Sequence, residues 1–226
     1  MVDIKQYGFD SFYKKEFEVF EGSEFIPARI SAEHKQRYSV ITSYGEVPGE
    51  ITGKFLYDIV NPSDFPKTGD WVVVTYFEED NKCIIHNLLN RRSHFSRGQA
   101  GKEAGLQVIA ANIDYIFIVQ SFNSDFSINR IERYMVMAQN GNCKPVIIIN
   151  KNDLTENPEE YLDKIRKRLK DTPLFSISCE TGNGFDELKD FLKPGKTYAL
   201  AGSSGVGKSS IINILMNNSI RWCDRL

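Results

Sequence analysis

Gly202-Ser-Ser-Gly-Val-Gly-Lys-Ser-Ser210 is the stretch on which the reading of this chain turns. It satisfies G-x-x-x-x-G-K-[ST], with Gly202, Gly207, Lys208 and Ser209 at the fixed positions and Ser203, Ser204, Gly205 and Val206 between them. The run before it, Lys196 to Ala201, is short, apolar and strand-like, and Ser209 to Met216 reads as a helix with a buried face. Strand, glycine-rich loop and helix together make a phosphate-binding loop. Gly202, Gly205 and Gly207 free the backbone to crowd an anion. Loop N–H groups and the helix N-terminus then turn partial positive charge toward it. Lys208 is placed to reach the β- and γ-phosphates, and the Ser209 hydroxyl to ligate Mg²⁺. The alternative is a glycine-rich strand-to-helix turn with no ligand. The full pattern in its strand–loop–helix setting argues against it.

The loop comes late in the chain, and a second motif precedes it. Asn150-Lys-Asn-Asp153 ends the Ile-rich run Pro145 to Ile149. A carboxylate at Asp153 can accept from guanine N1–H and the 2-amino group together. Adenine offers neither donor and would leave that carboxylate unpaired, a contrast worth about 10⁴-fold. The Lys151 stem can cover one face of the base, while Asn150 fixes the loop and reaches the base edge. Asn152 completes the tetrapeptide. An Asn/Asp-rich turn capping a strand is the structural alternative. Ser178-Cys179 ends another strand further on, where a backbone N–H can bond guanine O6; alone it carries little weight.

The 226 residues allow one large domain or two small ones. Hydrophobic and charged fractions of 41% and 26% are those of a soluble globular protein. The longest apolar runs are too short to cross a bilayer, and Met1 to Gln6 lacks the apolar core of a signal peptide, so a cytoplasmic location is expected. Cys83, Cys143, Cys179 and Cys223 are scattered and predict reduced thiols, with no disulfide framework or zinc site. His34, His86 and His94 are isolated and read as surface or structural residues. The net charge of −2 gives no global pull toward nucleic acid. Locally, Arg91-Arg-Ser-His-Phe-Ser-Arg97 could track a phosphate backbone and stack a base on Phe95, or serve as a solvated linker.

The chain changes character near residue 95. Before it, Arg37 to Thr42, Gly53 to Tyr57, Asp70 to Phe77 and Cys83 to Leu89 read as short strands between turns, and about residues 5–20 as a helix packed on them. A small OB-like β-barrel is predicted for residues 1–95. Arg97 to Lys102 marks a junction. After it, strands from Ile113, Pro145, Leu174 and Lys196 alternate with helices from Ile128, Glu159 and Phe185, predicting an α/β domain over residues 96–226 with a mostly parallel sheet. Asn150 to Asp153, Ser178 to Thr181 and Gly202 to Ser209 all fall at the C-terminal ends of strands, where such sheets bind ligands.

These residues resemble the GTPases of the Ras-like superfamily with the motif order changed, a circular permutation. With the β-rich N-terminal part, the chain is similar to the RsgA (YjeQ) family of ribosome small subunit-dependent GTPases. Gly69 to Val72, Ile109 to Asp114 and Arg133-Tyr134 add to the likeness. The resemblance implies an OB domain on 16S rRNA and a monomer acting in late maturation of the 30S subunit. It also implies GTP hydrolysis to GDP and phosphate with Mg²⁺, in which Lys208 and Ser209 carry the catalytic and metal roles. A zinc domain belongs to the family, but this chain shows no site for it. The chain departs from the pattern at Ser178-Cys179, where the family has Ser-Ala. No Asp-x-x-Gly and no switch threonine follow the loop, and the tail Asn217 to Leu226 does not look like the family. The expectation is therefore a partial GTPase domain, from a truncated or frameshifted longer protein, with weak or no turnover on its own. Two other classes are open: a non-catalytic rRNA-binding module, and an ATP-using phosphate-loop protein.

Overall fold

The computed structural model describes residues 1–22, 24–34, 37–98, 106–122 and 126–216. They divide into two compact units. The first is Met1–Ile113 with Pro194–Thr197; the second comprises Asp114–Lys193 and the described residues from Tyr198 on.

The first unit is built on strands β1 (Phe25–His34), β2 (Arg37–Thr42), β3 (Gly45–Ile51), β4 (Trp71–Phe77) and β5 (Lys82–Leu88), closed into a barrel in the order β1-β2-β3-β5-β4. All neighbours are antiparallel except β3 and β5. Its interior holds Ile30, Val40, Val47, Val72, Val74 and Ile85, none more than 3% exposed. Gly49 is also buried, and only glycine fits there because a Cβ would meet Val40 Cγ2 at 2.6 Å. Helix α1 (Ser11–Phe17), N-capped by Asp10, lays Tyr13 and Phe17 against Trp71 and Val73 on the barrel's outer face. A further ribbon, β6 (His94–Gly98) and β7 (Leu106–Ala111), belongs to this unit.

One expected strand is a helix. Gly53 to Tyr57 lies in α2 (Gly53–Asp58), because the Thr52 side chain caps it, accepting from Phe55 N at 3.0 Å. Conversely, β1 and β3 are strands beyond those expected; Pro27 in β1 and Gly45, Pro48 and Gly49 in β3 are residue types that weaken a strand signal. The Arg91–Arg97 stretch is tied into the first unit, with Ser93 and Phe95 buried and Arg92 and Arg97 exposed. Arg91 grips the buried Asp70 carboxylate at 2.7 Å and the carbonyls of Ser63 and Phe65. Arg92 bonds Asp10 at 2.6 Å and lies over the Tyr13 ring. Phe95 is only 6% exposed, so it is no stacking platform.

The second unit is a parallel sheet in the order β10-β9-β8-β11, from β8 (Tyr115–Ser121), β9 (Lys144–Asn150), β10 (Leu174–Ser176) and β11 (Tyr198–Ala201). Helices α3 (Ile128–Asn140), α4 (Pro158–Arg168), α5 (Phe185–Phe191) and α6 (Lys208–Met216) accompany it. β8 and β9 are buried on both faces, which is why they read as continuous Ile/Val runs. Phe117, Val119, Val146 and Ile148 pack with Phe185, Leu188 and Ile211. All strands point the same way, so the ends of β9, β10 and β11 deliver their loops to one edge. The tail from Asn217, including Cys223, lies outside the described residues.

Candidate functional site: a cradle at the sheet's C-terminal edge

The phosphate loop leaves β11 at Gly202, whose φ of +156° and whose missing Cβ are both required: a Cβ would lie 2.3 Å from Val119 O. Gly205 and Gly207 hold φ of +78° and +99°. A Cβ on Gly207 would lie 2.2 Å from Asn150 Nδ2, whereas Gly205 faces open space. Two of the three glycines are thus fixed by neighbours within the protein, and the third keeps one wall of the loop clear. Val206 is buried and anchors the loop, while Ser204, Gly205, Ser209 and Ser210 are exposed. Lys208 opens α6, and its ammonium donates to Gly202 O at 2.9 Å and Ser203 O at 2.8 Å. Partial burial pushes its pKa below the ordinary 10.5.

Asn150, 1% exposed, is the centre of the arrangement. Its Nδ2 donates to Val206 O at 2.9 Å and its Oδ1 accepts from Cys179 N at 3.2 Å. One side chain therefore ties β9 to the phosphate loop and to the Ser178-Cys179 loop. Lys151, at φ +65°, extends to Gly205 O at 3.0 Å. The Asp153 carboxylate accepts from the Ser178 hydroxyl, whose oxygen also receives Glu180 N and Thr181 N at 3.2 and 3.1 Å. Asn152 turns the other way, its N–H bonded to Ile177 O at 3.1 Å and its side chain near Ser176 Oγ at 3.4 Å. It closes the turn and braces β10. Cys179 is half-buried, and its thiol is pushed up chiefly by burial, with the Asn150 side chain opposing.

The structure brings the three stretches Asn150 to Asp153, Ser178-Cys179 and Gly202 to Ser210 together. It adds residues that no motif announced. Arg130, in the first turn of α3, donates from Nη1 to Ser203 Oγ at 2.9 Å. Gln120 and Ser121 end β8, each 1% exposed, and Gln120 Nε2 and Ser121 Oγ are buried side-chain atoms without a hydrogen-bond partner among the described residues. The one sequence signal for them was polarity at the end of an otherwise apolar strand.

The RsgA GTPase family model matches residues 88–224. The chain belongs to the RsgA GTPase family. Among its relatives, the small ribosomal subunit biogenesis GTPase RsgA 2 of Lactiplantibacillus plantarum is 40% identical over 195 residues, 86% of this chain and 55% of that protein. The RsgA of Opitutus terrae is 34% identical across 94% of this chain and 60% of its own length. The chain thus spans little more than half the length of these relatives. The crystal structure of YjeQ from Thermotoga maritima superposes with a TM-score of 0.67 at 26% identity, covering 87% of this chain and 66% of that one. That of YloQ, described as a circularly permuted GTPase, gives 0.63 at 24% identity over 86% and 66%, and so speaks to the fold. An OB-like barrel followed by a circularly permuted GTPase fold is therefore the architecture of this RsgA-family chain. Among the described residues no helix is long and apolar enough to cross a membrane, and no cluster of His, Cys, Asp and Glu could hold a metal ion.

Proposed function

We propose that this chain binds GTP and GDP in the cradle around Asn150 and acts in the biogenesis of the small ribosomal subunit, as its relatives' names describe. The observation that supports the reading is the pair of hydrogen bonds of Asn150, donated to Val206 O and accepted from Cys179 N, which draws the base and phosphate motifs together. Asp153 accepts the guanine N1–H and 2-amino donors, held in place by Ser178. Lys151 covers the base with its aliphatic stem while its ammonium holds Gly205 O. The N–H groups of residues 203–210 surround the phosphates.

Phosphoryl transfer depends on positioning and on neutralising charge at the terminal phosphate. The fit for a nucleotide with Mg²⁺ rests on the cradle itself: Gly205 leaves open space, and Lys208 is held over the loop by two carbonyls. Ser209, exposed at the start of α6, would hold the ion, which when bound would supply charge neutralisation at the terminal phosphates. Lys208 would bring its positive charge to the phosphates. The barrel provides the contact to 16S rRNA in this reading, and the protein works as a monomer in the cytoplasm. Phosphate release from GTP, followed with and without purified small subunits, tests it. Turnover raised by the subunit and abolished by Lys208→Ala is expected. Subunit binding that needs no nucleotide and survives Lys208→Ala would instead favour a non-catalytic RNA-binding module.

A further inference from the structure

We propose that Arg130 is a positioning residue of the phosphate loop, its guanidinium holding the Ser203 hydroxyl so that the loop's entry is set before nucleotide arrives. The inference rests on the guanine-nucleotide reading above and names a residue that no phosphate-loop or base motif contains. Ser203 is gripped twice: its hydroxyl accepts from Arg130 Nη1 at 2.9 Å, and its carbonyl accepts from Lys208 Nζ at 2.8 Å. Gly202 beside it is wedged against Val119 O. The first two residues of the loop are therefore fixed by β8, α3 and α6 together.

Arg130 is itself fixed at its root. Ser127 caps α3, its hydroxyl accepting from Arg130 N at 3.4 Å, and Ser127 N donates to Gln120 Oε1 at 3.3 Å. Gln120 is 1% exposed on β8, in register with Ile149 of β9. A continuous polar chain runs from the buried sheet edge through the α3 cap to the phosphate loop. A loop held in its binding conformation loses less freedom when a ligand binds, which shows as affinity and slower release. Two cations converging on one loop residue also favour an anion at that place. The guanidinium fork suits this task because its donor direction is rigid, unlike that of an ammonium.

The test is a double-mutant cycle on the 226-residue chain, with Arg130→Ala, Ser203→Ala and the pair, read by affinity and release rate of a fluorescent GDP analogue. Arg130→Lys and Ser203→Thr serve as conservative variants, and melting of the nucleotide-free proteins is followed in parallel. Each alanine variant is expected to weaken GDP binding by about five- to thirtyfold, as loss of a charge-assisted hydrogen bond would. The pair should be no weaker than the worse single variant. Ser203→Thr should restore binding, and nucleotide-free melting should stay unchanged. Additive losses, an Arg130→Ala protein within twofold of the parent, or a loss matched by a fall in nucleotide-free melting would each overturn the proposal. If the parent binds GDP and Lys208→Ala does not, such a result falls on Arg130 alone. If the parent binds no GDP, the nucleotide reading fails and this inference with it.

Discussion

Asn150 shows how much a single amide can organise. It is buried, it bonds the phosphate loop with one atom and the Ser178-Cys179 loop with the other, and it stands three residues before Asp153, whose carboxylate Ser178 holds. The motif made Asn150 and Asp153 legible in the sequence, because residue types at fixed spacing state their chemistry. Arg130 was not legible, since an arginine in a helix's first turn reads as a solvated face until α3 is placed beside the loop. Asp153→Ala should weaken GDP binding by about 10²-fold or more, having removed two charge-assisted hydrogen bonds, while ADP binding changes little. Equilibrium titration of both nucleotides checks this. Cys83 offers an independent test on the barrel. Burial pushes its thiol up to about 12 from the ordinary 9.0. The unfolded chain therefore loses that proton first, and the thiol's contribution to stability is lost as pH rises from 9 toward 12. Urea unfolding at pH 8 and pH 10.5 should show a steeper alkaline loss in the parent than in Cys83→Ala, and iodoacetamide at pH 8 should leave native Cys83 unmodified.

Among the elements, the loop's glycines separate into two kinds. Gly207→Ala sets a methyl 2.2 Å from Asn150 Nδ2 on a backbone at φ +99°, so it should break the Asn150 bridge, lower the melting temperature and abolish GDP binding. Gly205→Ala meets no neighbour but places an L residue at φ +78°, so it should cost roughly 1–2 kcal/mol through the backbone alone and leave the Asn150 bridge intact. Calorimetric melts of the two variants distinguish these cases, and equal effects would contradict the geometry. The elements of the sheet were legible because β8 and β9 are continuous apolar runs and strands alternate with helices along the chain. The barrel was harder to read. Its strands contain Pro27, Pro48 and Gly49, tolerated by particular pairings, and Gly53 to Tyr57 looked extended until the Thr52 cap was seen. Short apolar pieces carry too little periodicity to separate a helical turn from a strand.

For the whole molecule, the order of the motifs decided the reading. A phosphate loop behind the base motif required the sheet strands to follow in a permuted sequence, and β10-β9-β8-β11 with all neighbours parallel is that sheet. Order is a property of the chain, so it was visible before any coordinate. The meeting of Asn150 with Val206, 56 residues apart, was not. The central claim is that these stretches form one guanine-nucleotide cradle. Isothermal titration of the 226-residue chain with GDP and with ADP, each in the presence of Mg²⁺, tests it most directly. The account predicts saturable GDP binding that Lys208→Ala abolishes and ADP does not share; ADP binding as tight as GDP, or no binding of either, would contradict it.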